Sequence, residues 1–84
     1  MEIIWSKNAQ ITFEAIVNYL EIDFGVTTAK KFIAKADGQI KMIAKFPKMH
    51  KAVSVKNSVR KAVISKQCSL YYELNKNSIV LHYY

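Results

Sequence analysis

The side chains with the most chemistry to offer are basic and aromatic, and they lie in the second half of the sequence. Arg60 opens a predicted strand, and Tyr71, His82 and Tyr84 lie on the two strands after it, where we expect them to line an open sheet face. Such a face can bind RNA through phosphate contacts and base stacking. It can also cleave RNA if His82 or Tyr84 transfers the 2′-hydroxyl proton while Arg60 stabilises the phosphate. The alternative for a histidine or tyrosine at a strand end is half-buried packing.

Lysines surround this predicted site. The sequence holds thirteen Lys and Arg against six Asp and Glu, which is a net charge of +7, and all but one of the thirteen are lysines. Lysine suits diffuse electrostatic attraction to an anionic partner better than it suits bidentate hydrogen bonding to a carboxylate or phosphate. Nucleic acid, the ribosome, an anionic membrane surface and an acidic protein all fit this charge, as does solubility alone. The lysines nearest the predicted site are Lys48, Lys51, Lys56, Lys61 and Lys66.

The sequence lacks the residue patterns of other common catalytic, cofactor-binding and metal-binding sites. No phosphate-binding loop, dinucleotide-binding glycine motif, zinc-protease motif or serine-hydrolase elbow occurs. The two histidines, His50 and His82, and six scattered carboxylates do not have the spacing of a metal site, so we expect neither a metal nor a cofactor. Cys68 is the single cysteine, which rules out an intramolecular disulfide, and strand alternation directs it into the core.

The elements that must position these residues begin with a short strand over residues 2–5 and a helix capped by Ser6. The helix runs to Gly25, which suits the left-handed position after a helix. Its apolar residues form two stripes on nearly opposite sides. We expect the second stripe to contact other parts of the same domain, whereas any part left exposed would suit a partner helix. This second stripe consists of Ile11, Ala15, Tyr19 and Ile22.

A second helix follows within a residue or two, so the two helices should form an antiparallel hairpin. Thr27 or Thr28 is its expected N-cap, and Phe46-Pro47 ends it because proline disfavours helical geometry in the residue before it. Gly38 lies inside the pattern at a cost of about 1 kcal/mol relative to alanine. It indicates either a close crossing with another element or a break in the helix. The lysines of the polar side are Lys30, Lys31, Lys35, Lys41 and Lys45.

Three strands are predicted over residues 59–64, 68–74 and 78–84, after a connector with a short irregular strand around Ala52-Val53. The order β-α-α-β-β-β predicts a single α+β domain over residues 1–84, with the helical hairpin packed on one face of a small antiparallel sheet. No stretch is long and apolar enough to span a membrane. Residues 1–6 lack the basic region, long apolar run and small-residue cleavage site of a secretory leader, so we expect none. We therefore expect a cytoplasmic location.

Six short motifs follow one another along the whole chain. They are Ile4-Trp5-Ser6-Lys7-Asn8-Ala9, Tyr19-Leu20 before Gly25, Ala29 with Phe32, Ile43 with Phe46-Pro47, Val59-Arg60 and Leu70-Tyr71-Tyr72. In order and spacing, these motifs resemble those of the RelE/ParE superfamily of bacterial toxins. The resemblance covers essentially the whole chain and implies the toxin half of a type II toxin–antitoxin pair, often serving plasmid stabilisation or stress-responsive growth arrest.

A cognate antitoxin is the partner that the resemblance implies. Its toxin-binding segment would be acidic and disordered until bound. Such a segment can pair with the lysines of the second helix or cover the open sheet face, and the second stripe of the first helix can add an apolar contact. The expected antitoxin-binding residues are Ile11, Tyr19, Ile22, Lys31 and Lys35.

Two activities are known in the superfamily. RelE-like members cleave mRNA in the ribosomal A site with basic residues on two strands. Arg60 matches the first of these positions, whereas Ala62 and Ser69 stand where further basic residues are expected. The ending Leu81-His82-Tyr83-Tyr84 is similar to the His-Tyr ending of the YoeB branch, whose acidic residue has no counterpart in residues 48–58.

ParE-like members poison DNA gyrase instead and lack the nuclease residues. The long helical hairpin and the missing strand arginine are closer to ParE, although many relatives carry an arginine-bearing tail beyond the position of Tyr84. We expect a ParE-like gyrase poison. The alternatives are a ribosome-dependent mRNA endoribonuclease with Arg60, His82 and Tyr84 as catalytic residues, and a non-toxic basic module that binds RNA or protein. The second stripe of the first helix also leaves a homodimer open.

Overall fold

The computed structural model describes residues 2–50, 52–54, 59–66 and 68–84. The order of elements confirms the predicted β-α-α-β-β-β arrangement, with one further short strand in the connector where an irregular strand was expected. The elements are β1 (Glu2–Trp5), α1 (Lys7–Phe24), α2 (Val26–Lys45), β2 (Ala52–Ser54), β3 (Val59–Ser65), β4 (Cys68–Leu74) and β5 (Ser78–Tyr83).

The strands form one open sheet in the order β1-β5-β4-β3-β2. Strands β2 to β5 pair antiparallel, but β1 pairs parallel with β5, so the sheet is mixed and the expectation of an antiparallel sheet is wrong for β1. The physical reason is that β1 reaches the sheet without a tight turn. It is separated from its partner by most of the chain, and nothing local forces an antiparallel return.

Both ends of α1 follow the sequence prediction. The Ser6 side chain accepts a hydrogen bond from the Ala9 backbone N–H (3.0 Å), and its hydroxyl donates to the His82 carbonyl (2.9 Å). This cap therefore attaches the start of the helix to β5 as well as satisfying a free N–H group. At the other end Gly25 has a φ of 95°, in the region that favours glycine.

The junction between the helices differs from the prediction. Helix α2 begins at Val26 with Gly25 as its N-cap and has no side-chain cap, so neither Thr27 nor Thr28 serves there. The reason is that Gly25 reverses the chain within a single residue. Helix α2 then runs unbroken to Lys45, and the chain leaves it through Phe46, as expected.

Gly38 is neither a crossing point nor a break. A Cβ atom built on it would meet nothing within 4 Å, and α2 is continuous through it. Both explanations expected from the sequence are therefore wrong, and the glycine lies on an exposed side of the helix.

The core lies between the helical hairpin and one face of the sheet, where α1 packs over β5 and α2 over β3. Cys68 is half-buried on this face, as strand alternation predicted, and burial raises the pKa of its thiol. Neither helix is both long and apolar enough to cross a membrane. Among the described residues, the largest fully buried side chains are Tyr72, Ile43, Leu70, Ile79 and Leu81.

Candidate functional site

A β-bulge determines where the aromatic residues at the end of β5 point. Tyr72 pairs with Leu81 and Tyr71 pairs with Tyr83, so His82 is an extra residue on β5. Because of this shift, Tyr83 takes the place on the uncovered face that alternation had predicted for Tyr84.

Tyr84 instead closes the core on the helical side. Its ring stacks on Trp5 (centroids 5.6 Å apart) and contacts Phe13 (5.0 Å), and its backbone N–H donates to the Thr12 hydroxyl (2.9 Å). Burial raises the pKa of the Tyr84 phenol, and the nearby Cys68 thiol adds to the rise. The expectation that Tyr84 lines the open face is therefore wrong.

Arg60 also points to the helical side. It pairs with Tyr72 across the strands and shares a face with the buried Ala62. Its Nη1 donates to the His50 carbonyl, while the Tyr72 hydroxyl donates to the Pro47 carbonyl (3.0 Å). Arg60 thus fastens the segment that follows α2 against the sheet.

The expected catalytic set is divided between the two faces of the sheet. His82 lies on the uncovered face, where its Nε2 is 3.0 Å from Glu73 Oε1. Arg60 and Tyr84 both lie on the opposite face. The structure therefore does not bring the three residues around one reacting group.

The uncovered face, which we call the open face, carries a row of three side chains across β3, β4 and β5. Lys61 pairs with Tyr71, and Tyr71 pairs with Tyr83, whose ring stacks on it with centroids 4.8 Å apart. Of the expected nucleic-acid contacts, only Lys61 and Tyr71 meet on this face. Lys48 and Lys66 are exposed on other segments, and Lys51 and Lys56 lie outside the described residues.

Within the described ranges, no group of three His, Cys, Asp or Glu side chains is arranged to hold a metal ion.

A second candidate site is a groove between the helical hairpin and the turn that joins β3 to β4. Two adjoining depressions share Leu20, Phe32 and Ser65, and Lys31 and Lys35 line one of them. We call this the lysine-rimmed groove. Its remaining lining residues are Ile16, Tyr19, Thr28 and Cys68.

The second stripe of α1 is exposed rather than packed within the domain. Ile11 is 53% exposed and Ile22 is 82% exposed. The expectation of intramolecular contacts is wrong because the hairpin lies flat on the sheet, so only one side of α1 reaches the core. Of the five expected antitoxin-binding residues, Tyr19, Lys31 and Lys35 line the groove, and Ile11 and Ile22 lie outside it.

The sequence analysis missed one exposed aromatic residue. Phe24 falls on the core stripe of α1 by periodicity, yet it is 60% exposed, and its ring forms a T-shaped pair with the Tyr19 ring (centroids 5.9 Å apart). Together with Ile22 and Val26 it forms an apolar tip on the hairpin. Its position in the last turn before Gly25 is the signal that would have found it, because the core does not extend to the tip.

Comparison with known proteins gives two matches. A family model described as the ParE toxin of the type II toxin–antitoxin system parDE matches residues 3–82. A solved structure, the chromosomal ParDE TA system from P. aeruginosa, is similar with a TM-score of 0.75 and 18% sequence identity, over 96% of this chain and 89% of that chain. At this identity the structural similarity shows the fold. No curated protein matches the chain.

Proposed function

Because the chain belongs to the ParE toxin family of type II toxin–antitoxin systems, we propose that it arrests bacterial growth by poisoning DNA gyrase and that a cognate antitoxin neutralises it. The observation that carries the choice of gyrase is the division of Arg60, His82 and Tyr84 between two faces of the sheet. Cleavage of RNA needs a proton-transfer group and a cation around one phosphate. A toxin that acts by binding needs no such group.

The antitoxin contact is proposed at the lysine-rimmed groove. Leu20 and Phe32 offer an apolar lining, and Lys31 and Lys35 supply positive charge beside it. An amphipathic segment with acidic side chains on one edge would match both features. The exposed Ile22 and Phe24 at the hairpin tip extend the apolar surface from Tyr19, so a segment leaving the groove can continue over them. Plasmid stabilisation would follow from such neutralisation, because cells that lose a short-lived antitoxin would be arrested.

The proposed target is tested by DNA supercoiling. Purified protein is added to gyrase and relaxed plasmid, with and without prior incubation with the antitoxin encoded beside its gene. We expect supercoiling to be inhibited and the antitoxin to restore it. Unchanged supercoiling at protein concentrations that arrest growth would exclude gyrase as the target.

A ribosome-dependent nuclease is the second candidate, and the His82–Glu73 pair is the observation that favours it. A histidine held by a carboxylate on an uncovered face is a suitable general base or acid. New mRNA 5′ ends that appear in a translation extract only on translated message, and disappear in His82→Ala, would establish this activity and contradict gyrase poisoning as the main action. If expression without antitoxin is harmless, the chain is instead a non-toxic binding module.

Self-association is proposed separately for the outer side of α1. Ile11 and Ile22 lie on that side, about 16 Å apart along the helix axis. Light scattering on the purified protein, compared with Ile11→Ser/Ile22→Ser, measures it. A dimer that becomes a monomer in the variant supports this contact, whereas a monomeric wild-type protein removes it.

A further inference from the structure

Charge is unevenly divided between the two helices of the hairpin. Helix α1 carries Lys7 against three carboxylates, a net charge of −2, whereas α2 carries five lysines against Asp37, a net charge of +4. The positive charge of the helical layer is therefore concentrated on α2. A partner that contacts this helix alone meets a strongly basic surface.

The lysines of α2 border a flat exposed strip. At 100° per residue, Lys30 and Lys41 follow one edge of the exposed side, and Lys31 and Lys35 follow the other edge, beside the lysine-rimmed groove. Lys45 lies between the two edges, in the last turn of the helix. Lys30 and Lys45 are about 22 Å apart along the helix axis. We call this surface the lysine face. Between its two edges lie small side chains, all of them exposed, at Thr27, Ala34 and Gly38.

Few of these lysines are engaged within the described part of the chain. Lys41 pairs with Asp37 (3.1 Å), and Lys45 lies over the Phe46 ring at 5.7 Å from its centroid. No carboxylate among the described residues pairs with Lys30, Lys31 or Lys35.

The composition of the lysine face favours a nucleic acid over a protein as its occupant. Protein interfaces take most of their binding energy from buried aromatic and aliphatic anchors. Here the centre of the face holds small side chains and Lys45, and the one long apolar side chain of the face, Met42, lies at the groove edge. Nucleic acid needs no such anchors, since neutralisation of phosphates supplies sequence-independent affinity. The centre is open at Gly38, where even an added Cβ atom would meet nothing within 4 Å, and this allows close approach of a convex rod.

We propose that the lysine face of α2 binds the phosphodiester backbone of duplex nucleic acid, independently of base sequence. The face spans about 22 Å, which corresponds to roughly six base pairs of duplex. This surface differs from the nucleic-acid site expected from the sequence, which lay on the sheet and the connector. It also does not depend on whether gyrase or the ribosome is the target of the protein.

The test is the salt dependence of duplex binding by the purified protein alone. A fluorescently labelled duplex of about 20 base pairs, of arbitrary sequence, is titrated at several potassium chloride concentrations. Each phosphate contact contributes about 0.9 to the slope of log K against log salt, so five contacts would give a slope of about −4.5 at most. The variant Lys30→Gln/Lys45→Gln should flatten the wild-type slope by about two units. Neither substituted lysine lines the antitoxin groove.

The matched control is Lys7→Gln/Lys76→Gln, which removes the same charge from the first turn of α1 and from the turn between β4 and β5. Its slope should stay within about 0.5 of the wild type. Equal flattening in both variants would show that only total charge matters and would overturn the proposal. The absence of duplex binding at low salt would do the same.

Poly-glutamate serves as the comparison polymer because it carries charge without phosphodiester geometry. If it binds as tightly as the duplex and loses binding in Lys30→Gln/Lys45→Gln, the face belongs to an acidic protein and the proposal fails. Antitoxin binding and gyrase inhibition are measured separately with the same variant. A negative duplex result therefore leaves the proposed toxin function untouched, and a failed gyrase assay leaves the duplex contact untouched.

Discussion

His82 is one extra residue in β5, and it separates the roles of the two tyrosines that follow it. Tyr83 stands on the open face at 46% exposure, whereas Tyr84 packs between Trp5 and Phe13. The hydroxyl of Tyr84 is buried and has no hydrogen-bond partner among the described residues. A buried hydroxyl without a partner costs free energy, so the side chain contributes stability through its ring and not through its hydroxyl.

The first prediction concerns this hydroxyl. Tyr84→Phe should leave stability unchanged or raise it by up to about 1 kcal/mol, because it removes an unsatisfied polar atom. Tyr84→Ala, the matched control, should cost about 3 kcal/mol through loss of the ring. Urea unfolding measures both. A loss of growth arrest in Tyr84→Phe with unchanged stability would contradict the structural role and favour a catalytic one.

The pH dependence follows from the same residue. Because burial raises the Tyr84 pKa in the folded protein, the unfolded chain loses this proton first as pH rises above about 10. The stability contribution is thus complete below about pH 10 and declines above it. Urea midpoints measured between neutral pH and about pH 11 should fall less in Tyr84→Phe than in the wild type, and parallel curves would contradict this account.

Arg60 and Lys61 provide a matched pair of neighbours on opposite faces. Arg60→Ala should destabilise the fold by about 1–3 kcal/mol. The reason is that the variant loses the hydrogen bond from Arg60 to the His50 carbonyl, which holds the segment after α2 against the sheet. Lys61→Ala should stay within about 0.5 kcal/mol of the wild type, because this side chain is exposed. Urea unfolding measures both. Equal stability of the two variants would show that Arg60 does not fasten the segment after α2.

At the scale of elements, the two glycines of the hairpin have opposite roles. Gly25 reverses the chain between α1 and α2 with a φ of 95°, which side chains rarely adopt. Gly38 lies in the exposed middle of α2 with space for a side chain. One glycine is therefore required by the backbone, whereas the other weakens its helix and is not required by the fold.

This contrast predicts opposite effects of alanine. Gly38→Ala should stabilise the protein by about 0.5–1 kcal/mol through higher helix propensity, which raises Tm by roughly 2–8 °C in a domain of this size. Gly25→Ala should be destabilising because its conformation is strained for alanine. Thermal unfolding followed by circular dichroism checks both. A fall in Tm for Gly38→Ala would contradict this account, because the added methyl group would then be meeting an atom where the structure shows open space.

At the scale of the whole molecule, two of the proposed binding surfaces overlap on α2. The lysine-rimmed groove and the lysine face share Lys31 and Lys35, whereas the open face lies across the sheet. Lys30, Lys41 and Lys45 belong to the lysine face alone. Variants at Lys30 and Lys45 therefore test the duplex contact without changing the residues that line the groove.

The last prediction concerns the lysines that line the groove. Lys31→Glu/Lys35→Glu should weaken antitoxin binding by at least about tenfold, which is about 1.4 kcal/mol. Two positive charges at the groove rim become negative in this variant and repel the acidic side chains of the antitoxin segment. Lys61→Glu/Lys76→Glu, the matched control, should retain the affinity. Calorimetric titration with the antitoxin measures this, and equal losses in both variants would place the antitoxin elsewhere.

The sequence by itself determined the elements and most of the fold, because helix caps, periodicity and strand alternation are local properties. Ser6, Gly25 and the end of α2 at Phe46 were all predicted from a few neighbouring residues. The second α1 stripe was recognised as distinct, although its exposure was not predicted. The family resemblance supplied the expected function, and the family match confirmed the toxin class.

Only the tertiary structure decided the direction of β1, the bulge at His82 and the placement of Arg60. Each of these depends on pairing between residues far apart in the chain, and a single extra residue in a strand changes the face of every side chain after it. The expected catalytic set was separated for this reason. The same long-range packing left one side of α1 and the lysine face of α2 exposed, because a small two-layer fold can cover only one side of each helix.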